Sequence, residues 1–179
     1  CGAMISDARF GQLEALIQDA VAHGATLVHG GRRLAHPRWP LGHYFAPTLL
    51  TNVTPDMKIA NEELFAPVFL IMVYDTVDEA VRIANGTPFG LGSSVFGPER
   101  GLCLDVASQL ECGMVNINDF GISYLNQGLP FGGCKDSGYG RFAGPEGLLG
   151  LTRPKARTED VAFGLVQTSI PPVVDYPIR

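Results

Sequence analysis

Few residues in this sequence have the types and spacing that chemistry needs. Glu62 and Glu63 set two carboxylates side by side, which by residue type alone reads as a solvated turn or helix start. Cys1, Cys103, Cys112 and Cys134 show no C-x-x-C spacing, so they suggest neither a zinc cluster nor a disulfide framework. His23, His29, His36 and His43 all fall in the first quarter, none with a metal-ligand partner at a useful spacing. No metal site is expected, and there is no G-x-S-x-G nucleophile elbow. Gly128 to Lys135 approaches the phosphate loop G-x-x-x-x-G-K-[ST], but Cys134 stands where the lysine belongs and no strand ends just before it. Gly90 to Gly97 approaches G-x-G-x-x-G, but its third glycine is displaced and the segment enters a strand instead of opening a helix.

The elements that would position these residues can be read from periodicity. Phe10, Leu13, Leu16, Ile17, Ala20 and Val21 recur at helical spacing, so a helix is expected over Ser6 to His23, with Ser6 or Asp7 as cap and Gly24 as stop. Ala25–His29 reads as a short strand, and Tyr44 to Val53 as an extended segment interrupted at Pro47. Phe69–Tyr74 is expected to be a buried strand. Thr76-Val-Asp-Glu79 is a capping box opening a short helix that ends at Asn85-Gly86. Ser93–Phe96 is the next strand, Pro98 suits the first turn of a further helix carrying Leu102, Cys103, Val106 and Leu110, and Met114–Asn118 is a third strand. That alternation predicts an α/β fold, a parallel sheet with flanking helices over Phe69 to Asn118. Gly128 to Gly147 is so rich in glycine that it is expected to be loop.

Composition narrows the function. The chain has 179 residues, 46% of them hydrophobic and 17% charged, with a formal charge of −5. That is enough apolar material for a core and too little charge for disorder. Only Lys58, Lys135 and Lys155 are lysines, which argues against nucleic acid as a partner. No apolar run approaches the ~20 residues that cross a bilayer, so no membrane segment is expected. Free cysteines suit the cytoplasm or another reducing compartment. The sequence opens at Cys1 without an initiator methionine or a signal-peptide pattern, and a portion of a longer protein is expected.

Several segments together resemble the NAD(P)-dependent aldehyde dehydrogenases. Asn61-Glu-Glu63-Leu-Phe65-Ala-Pro-Val68 is similar to E-E-[IL]-F-G-P-V, and Asn85 to Phe96 to N-x-x-x-Y-G-L-x-x-x-V-F. Gly113-Met-Val-Asn-Ile-Asn118 resembles G-T-V-W-V-N, and Pro130 to Arg141 resembles P-F-G-G-x-K-x-S-G-x-G-R. The likeness runs over about residues 2 to 158 and implies the C-terminal part of an aldehyde dehydrogenase-like catalytic domain. Residues 159–179 would then form a C-terminal arm for oligomerisation, giving a homo-oligomer.

The resemblance also implies roles. Glu63 matches the glutamate that accepts hydrogen bonds from the nicotinamide ribose hydroxyls, Phe65 an aromatic that packs near the nicotinamide, and Phe131 an aromatic on the aldehyde tunnel wall. NAD or NADP would be the cofactor and an aldehyde the substrate, oxidised to a carboxylic acid through a cysteine thiohemiacetal. None of the four cysteines stands in a motif like the family's nucleophile, which lies N-terminal to the Gly2-Ala-Met-Ile-Ser6 region. This chain therefore supplies no catalytic residue and is expected to be inactive alone. The alternative is an inactive remnant of the family serving as a binding or oligomerisation module.

Overall fold

The computed structural model describes residues 1–38 and 40–157, so the expected arm at 159–179 lies outside the described residues. Helix α1, Phe10–Ala22, buries Phe10, Leu13, Ile17 and Ala20, a stripe at the helical repeat. It lacks the side-chain cap expected of Ser6 or Asp7. Ser6 Oγ instead accepts from the Ala8 amide at 3.1 Å, and the Asp7 carboxylate pairs with Arg33 at 3.0 Å.

Strand β1 is Thr26–His29, β2 Arg33–Leu34, β3 Tyr44–Phe45, β4 Thr48–Thr51 and β5 Val68–Leu70. Pro47 divides the extended segment between β3 and β4, as expected. β1 and β4 pair antiparallel and β4 and β5 parallel, giving a three-stranded mixed sheet in the order β1-β4-β5. The core lies between this sheet, α1 and a short 3-10 turn at Lys58–Asn61, and it includes Phe45, Leu50, Val53, Met57 and Ile59.

The strand expected to be buried over Phe69–Tyr74 is shorter than that and covered by the described residues on one face only. The strand ends at Leu70, although the Ile71 amide still donates to the Leu50 carbonyl at 2.9 Å. Leu70 and Met72 pack on the core, whereas Phe69 is 65% and Val73 77% exposed. A continuous apolar run has two apolar faces, and the described residues cover one of them.

In the second half, α2 is Val77–Asn85, β6 Phe89–Gly90, β7 Gly92–Val95, α3 Arg100–Gln109 and β8 Met114–Ile117. Then come α4, Ile122–Leu125, β9, Cys134–Lys135, and α5, Gly144–Leu149. The capping box forms: the Glu79 amide donates to Thr76 Oγ1 at 3.2 Å, and the Asp75 amide donates to Glu79 Oε2 at 2.9 Å. Pro98 lies outside α3, whose N-cap is Glu99. β7 and β8 run parallel, as expected of a crossover unit, and β6 pairs antiparallel with β9.

The single parallel layer expected over Phe69 to Asn118 is instead two parallel pairs, β4 with β5 and β7 with β8, with no ladder between β5 and β7. Alternation of strand and helix reveals crossovers, but it does not say which strands become neighbours. The α/β class with parallel strands and flanking helices stands. The glycine-rich stretch is also more than loop, since β9 lies within it and α5 begins there.

Beyond Ile59 the only buried apolar side chain among the described residues is Cys103. The second half is held by other means. The Gly113 amide donates to the Gly90 carbonyl at 3.0 Å, and a Cβ on Gly113 would collide with the Gly132 carbonyl oxygen. Three backbone segments therefore meet where no side chain fits. Around this seam Lys135 Nζ donates to the Asn85 carbonyl at 2.7 Å and pairs with Glu111 Oε2 at 3.0 Å. Ser137 Oγ accepts from the Gly90 amide at 3.0 Å, and the Arg141 guanidinium donates to the Gly133 carbonyl at 2.6 Å. The Asn85 side chain closes the other side, donating to the Gln109 carbonyl and accepting from the Glu111 amide, both at 2.8 Å.

Candidate functional site

Glu63 and Phe65 sit on the connection from the 3-10 turn to β5. Ile59 is buried under the turn, and the Asn61 amide group donates to the Pro55 carbonyl at 2.8 Å, which fixes where the connection starts. Leu64 and Ala66 pack against the core, while Glu63 and Phe65 alternate with them and face outward. Phe65 has φ +47 and is 78% exposed. A bulky side chain in the left-handed region is strained, and such strain concentrates at functional sites. Ala66, which replaces the motif glycine, does not have positive φ, so it brings no strain of that kind.

Glu63 lines a cleft of about 330 Å³ together with Glu62, Phe89, Ser93, Glu111 and Cys112. No hydrogen bond or ion pair with another described residue engages the Glu63 carboxylate. Both of its oxygens are available to donors such as ligand hydroxyls.

Phe131 is half-buried and belongs to an aromatic cluster. Its ring lies 5.3 Å from Tyr124 in an edge-on arrangement and 4.6 Å from Phe142. The Phe131 and Phe142 backbones exchange hydrogen bonds at 2.7 and 2.9 Å, which holds the ring against a second cleft of about 420 Å³. The two clefts share Leu91, Gly92 and Ser93, so they flank the same strand, β7. Glu63 thus faces one cleft and Phe131 the other, while Phe65 lines neither.

The cysteines near these clefts serve the backbone. The Cys112 thiol lies 3.0 Å from Ser93 Oγ and donates to the Met114 carbonyl at 3.1 Å, and the Cys134 thiol donates to the Glu111 carbonyl at 3.1 Å. Neither hydrogen-bonds a histidine or a carboxylate that could act as its base. Two carboxyls are held below their usual range, Asp19 by the hydrogen bond from Lys58 and Asp56 by that from Thr54, and neither lines these clefts. Among the described residues no group of three or more His, Cys, Asp or Glu could hold a metal ion.

Other residues prove important that residue type alone does not single out. Lys135, Ser137 and Arg141 read as members of a motif and turn out to be the ties of the glycine seam. Asn118, at φ +53, clamps Gly97 by accepting from its amide at 2.8 Å and donating to its carbonyl at 2.9 Å. The signal available for it was an asparagine placed directly after a strand, a residue that tolerates the left-handed region.

The sequence model of the aldehyde dehydrogenase family matches residues 1–156. An aldehyde dehydrogenase-like protein of Schizosaccharomyces pombe is 57% identical over 99% of this chain and 34% of its own length. The succinate-semialdehyde dehydrogenase [NADP(+)] of Deinococcus radiodurans is 43% identical over 86% of this chain and 31% of its own length. Betaine aldehyde dehydrogenase from Staphylococcus aureus, crystallised with NAD+, superposes with a TM-score of 0.77 at 38% identity, covering 83% of this chain and 29% of the enzyme. The chain spans about a third of the length of the relatives it matches.

The strain at Phe65 predicts an inversion of the usual glycine penalty. Phe65→Gly should be more stable than Phe65→Ala by about 1 kcal/mol, since the left-handed conformation costs a residue with a Cβ roughly 1–2 kcal/mol. Urea denaturation of the two variants measures this, and an Ala variant as stable as the Gly variant would contradict it.

Proposed function

The chain belongs to the aldehyde dehydrogenase family, and from that premise we propose that the complete protein oxidises an aldehyde to a carboxylic acid. In this reading a cysteine outside the chain adds to the aldehyde carbonyl, the resulting thiohemiacetal loses a hydride, and water releases the acid from the thioester. NAD or NADP, when bound, supplies the hydride acceptor. The named dehydrogenases among the relatives support an aldehyde as substrate.

The residues present fit such a dinucleotide. The observation that carries the reading is the Glu63–Phe65 connection: an unengaged carboxylate on a cleft rim, then an exposed ring held at positive φ by its neighbours. Glu63 would accept two ribose hydroxyls, and the Phe65 ring face would orient the nicotinamide. Phe131, with Tyr124 edge-on beside it, would form part of the wall against which the aldehyde's chain lies. The chain itself supplies no nucleophile and alone should produce no NADH from aldehydes. Its four cysteines, all free, suit a reducing compartment such as the cytoplasm.

Glu63→Gln in the complete protein should slow hydride transfer by about tenfold or more, the equivalent of losing part of a charged hydrogen bond worth about 1.5–3 kcal/mol. The melting temperature should be unchanged, because no described residue depends on that carboxylate for a bond. Transient NADH formation measures the first and calorimetry the second. Unchanged kinetics would return Glu63 to a solvated turn residue.

A second reading, a module that associates with other chains, is favoured by exposed apolar residues such as Phe69, Val73, Phe96 and Phe120. Bare strand edges and apolar faces recruit partners. In this reading residues 159–179 would supply the arm through which a homo-oligomer forms. Light scattering should show a dimer or larger species that dissociates when residues 161–179 are removed, whereas a monomer in both cases would defeat the association.

A further inference from the structure

The cleft at Phe131 has an unusual floor. The register of β7 and β8 pairs Gly92 with Met114 and Ser94 with Asn116, so these four residues share one face of the pair. Parallel strands ordinarily bury both faces under Val, Ile and Leu. Here that face carries a hydroxyl and a carboxamide, and both Ser94 and Asn116 line the cleft with Ser123, Tyr124 and Phe131. In the segment similar to G-T-V-W-V-N, Asn116 stands where the motif has tryptophan, so an amide and open space replace an indole.

The Asn116 amide has spare capacity. Its Nδ2 reaches the Ser93 carbonyl at 3.4 Å, and its Oδ1 receives the Ser123 amide at 3.4 Å. Both bonds are long, and a carboxamide has two N–H donors and two acceptor lone pairs. Ser94 is exposed and makes no side-chain bond to a described residue. None of the residues lining this cleft carries a charge.

We propose that Asn116, assisted by Ser94, is the specificity-determining wall of this cleft, and that the cleft takes an uncharged ligand with an apolar or aromatic body and a hydroxyl or amide group. The proposal rests on the reading that the Phe131 cleft receives the aldehyde's chain, and it adds the substrate class. An aldehyde bearing a carboxylate would lose water there without gaining a counter-ion, and a charge desolvated without a partner is costly. The aromatic rings give a cation some attraction, so a cation is the sharper competitor.

Three probes sharing one ring test this on the chain itself: benzyl alcohol, benzoate and benzyltrimethylammonium, titrated while ¹H–¹⁵N spectra are recorded. Benzyl alcohol should bind tightest and move the amide signals of Ser94, Asn116 and Ser123. Asn116→Leu should weaken it by about three- to tenfold, the effect of losing one neutral hydrogen bond, and leave the other two probes unchanged. If Asn116→Leu does not fold, Ser94→Ala, which removes only an exposed hydroxyl, should weaken benzyl alcohol in the same direction. Tightest binding of benzyltrimethylammonium or of benzoate would overturn the proposal. So would shifts confined to other residues, or no binding by any probe at millimolar concentration. Turnover plays no part in the readout, so a complete protein that makes no NADH would refute the dehydrogenase reading and leave this result intact.

Discussion

The contact among the Gly90, Gly113 and Gly132 backbones is the constraint on which the second half of the molecule depends. Gly113 hydrogen-bonds Gly90 and packs against the Gly132 carbonyl so closely that a methyl group would not fit. That approach brings the start of β7–β8, the turn after α3 and the glycine-rich stretch to one place. Lys135, Ser137 and Arg141 then bind carbonyl and amide groups that the approach leaves facing them. A lysine that donates to a backbone carbonyl and pairs with Glu111 fixes both position and direction, which apolar contact would not do.

The division of labour between the halves follows. The first half has a conventional core in which α1 packs with the sheet and the 3-10 turn, and it holds the Glu63–Phe65 connection through Leu64 and Ala66. The second half has almost no core among the described residues, and polar and backbone ties position its two clefts on either side of β7. Strain at Phe65 and polar groups on the β7–β8 face are two of the places where local preference is overridden, the first beside Glu63 and the second lining the Phe131 cleft. Deviations from local consistency are expected where function imposes them.

Much of this was legible in the sequence where local physics decides. The α1 stripe, the break at Pro47, the Thr76–Glu79 capping box and the β8 strand all follow from periodicity and capping chemistry. What failed is long-range. The apolar run at Phe69–Tyr74 does not announce that the described residues cover only one of its faces, and alternation of strands and helices does not reveal that β5 and β7 do not pair with each other. The glycines after Gly128 read as loop, because the sequence cannot show that the Gly132 carbonyl packs against Gly113, some twenty residues earlier, where no side chain fits. Glu63, Phe65 and Phe131 were singled out only through family resemblance. That Glu63 and Phe131 face separate clefts, with Phe65 on neither, needed the fold.

Native-state hydrogen exchange on Gly113→Ala tests the central claim most directly. If the glycine seam holds the second half together, the amides of Asp136, which donates to Pro88, and Asn118, which donates to Val95, should lose protection together in the variant. Those of Leu13 and Ile71, which belong to the first half's helix and sheet, should keep theirs. Retained protection at Asp136 and Asn118, or an equal loss at Leu13 and Ile71, would contradict the account.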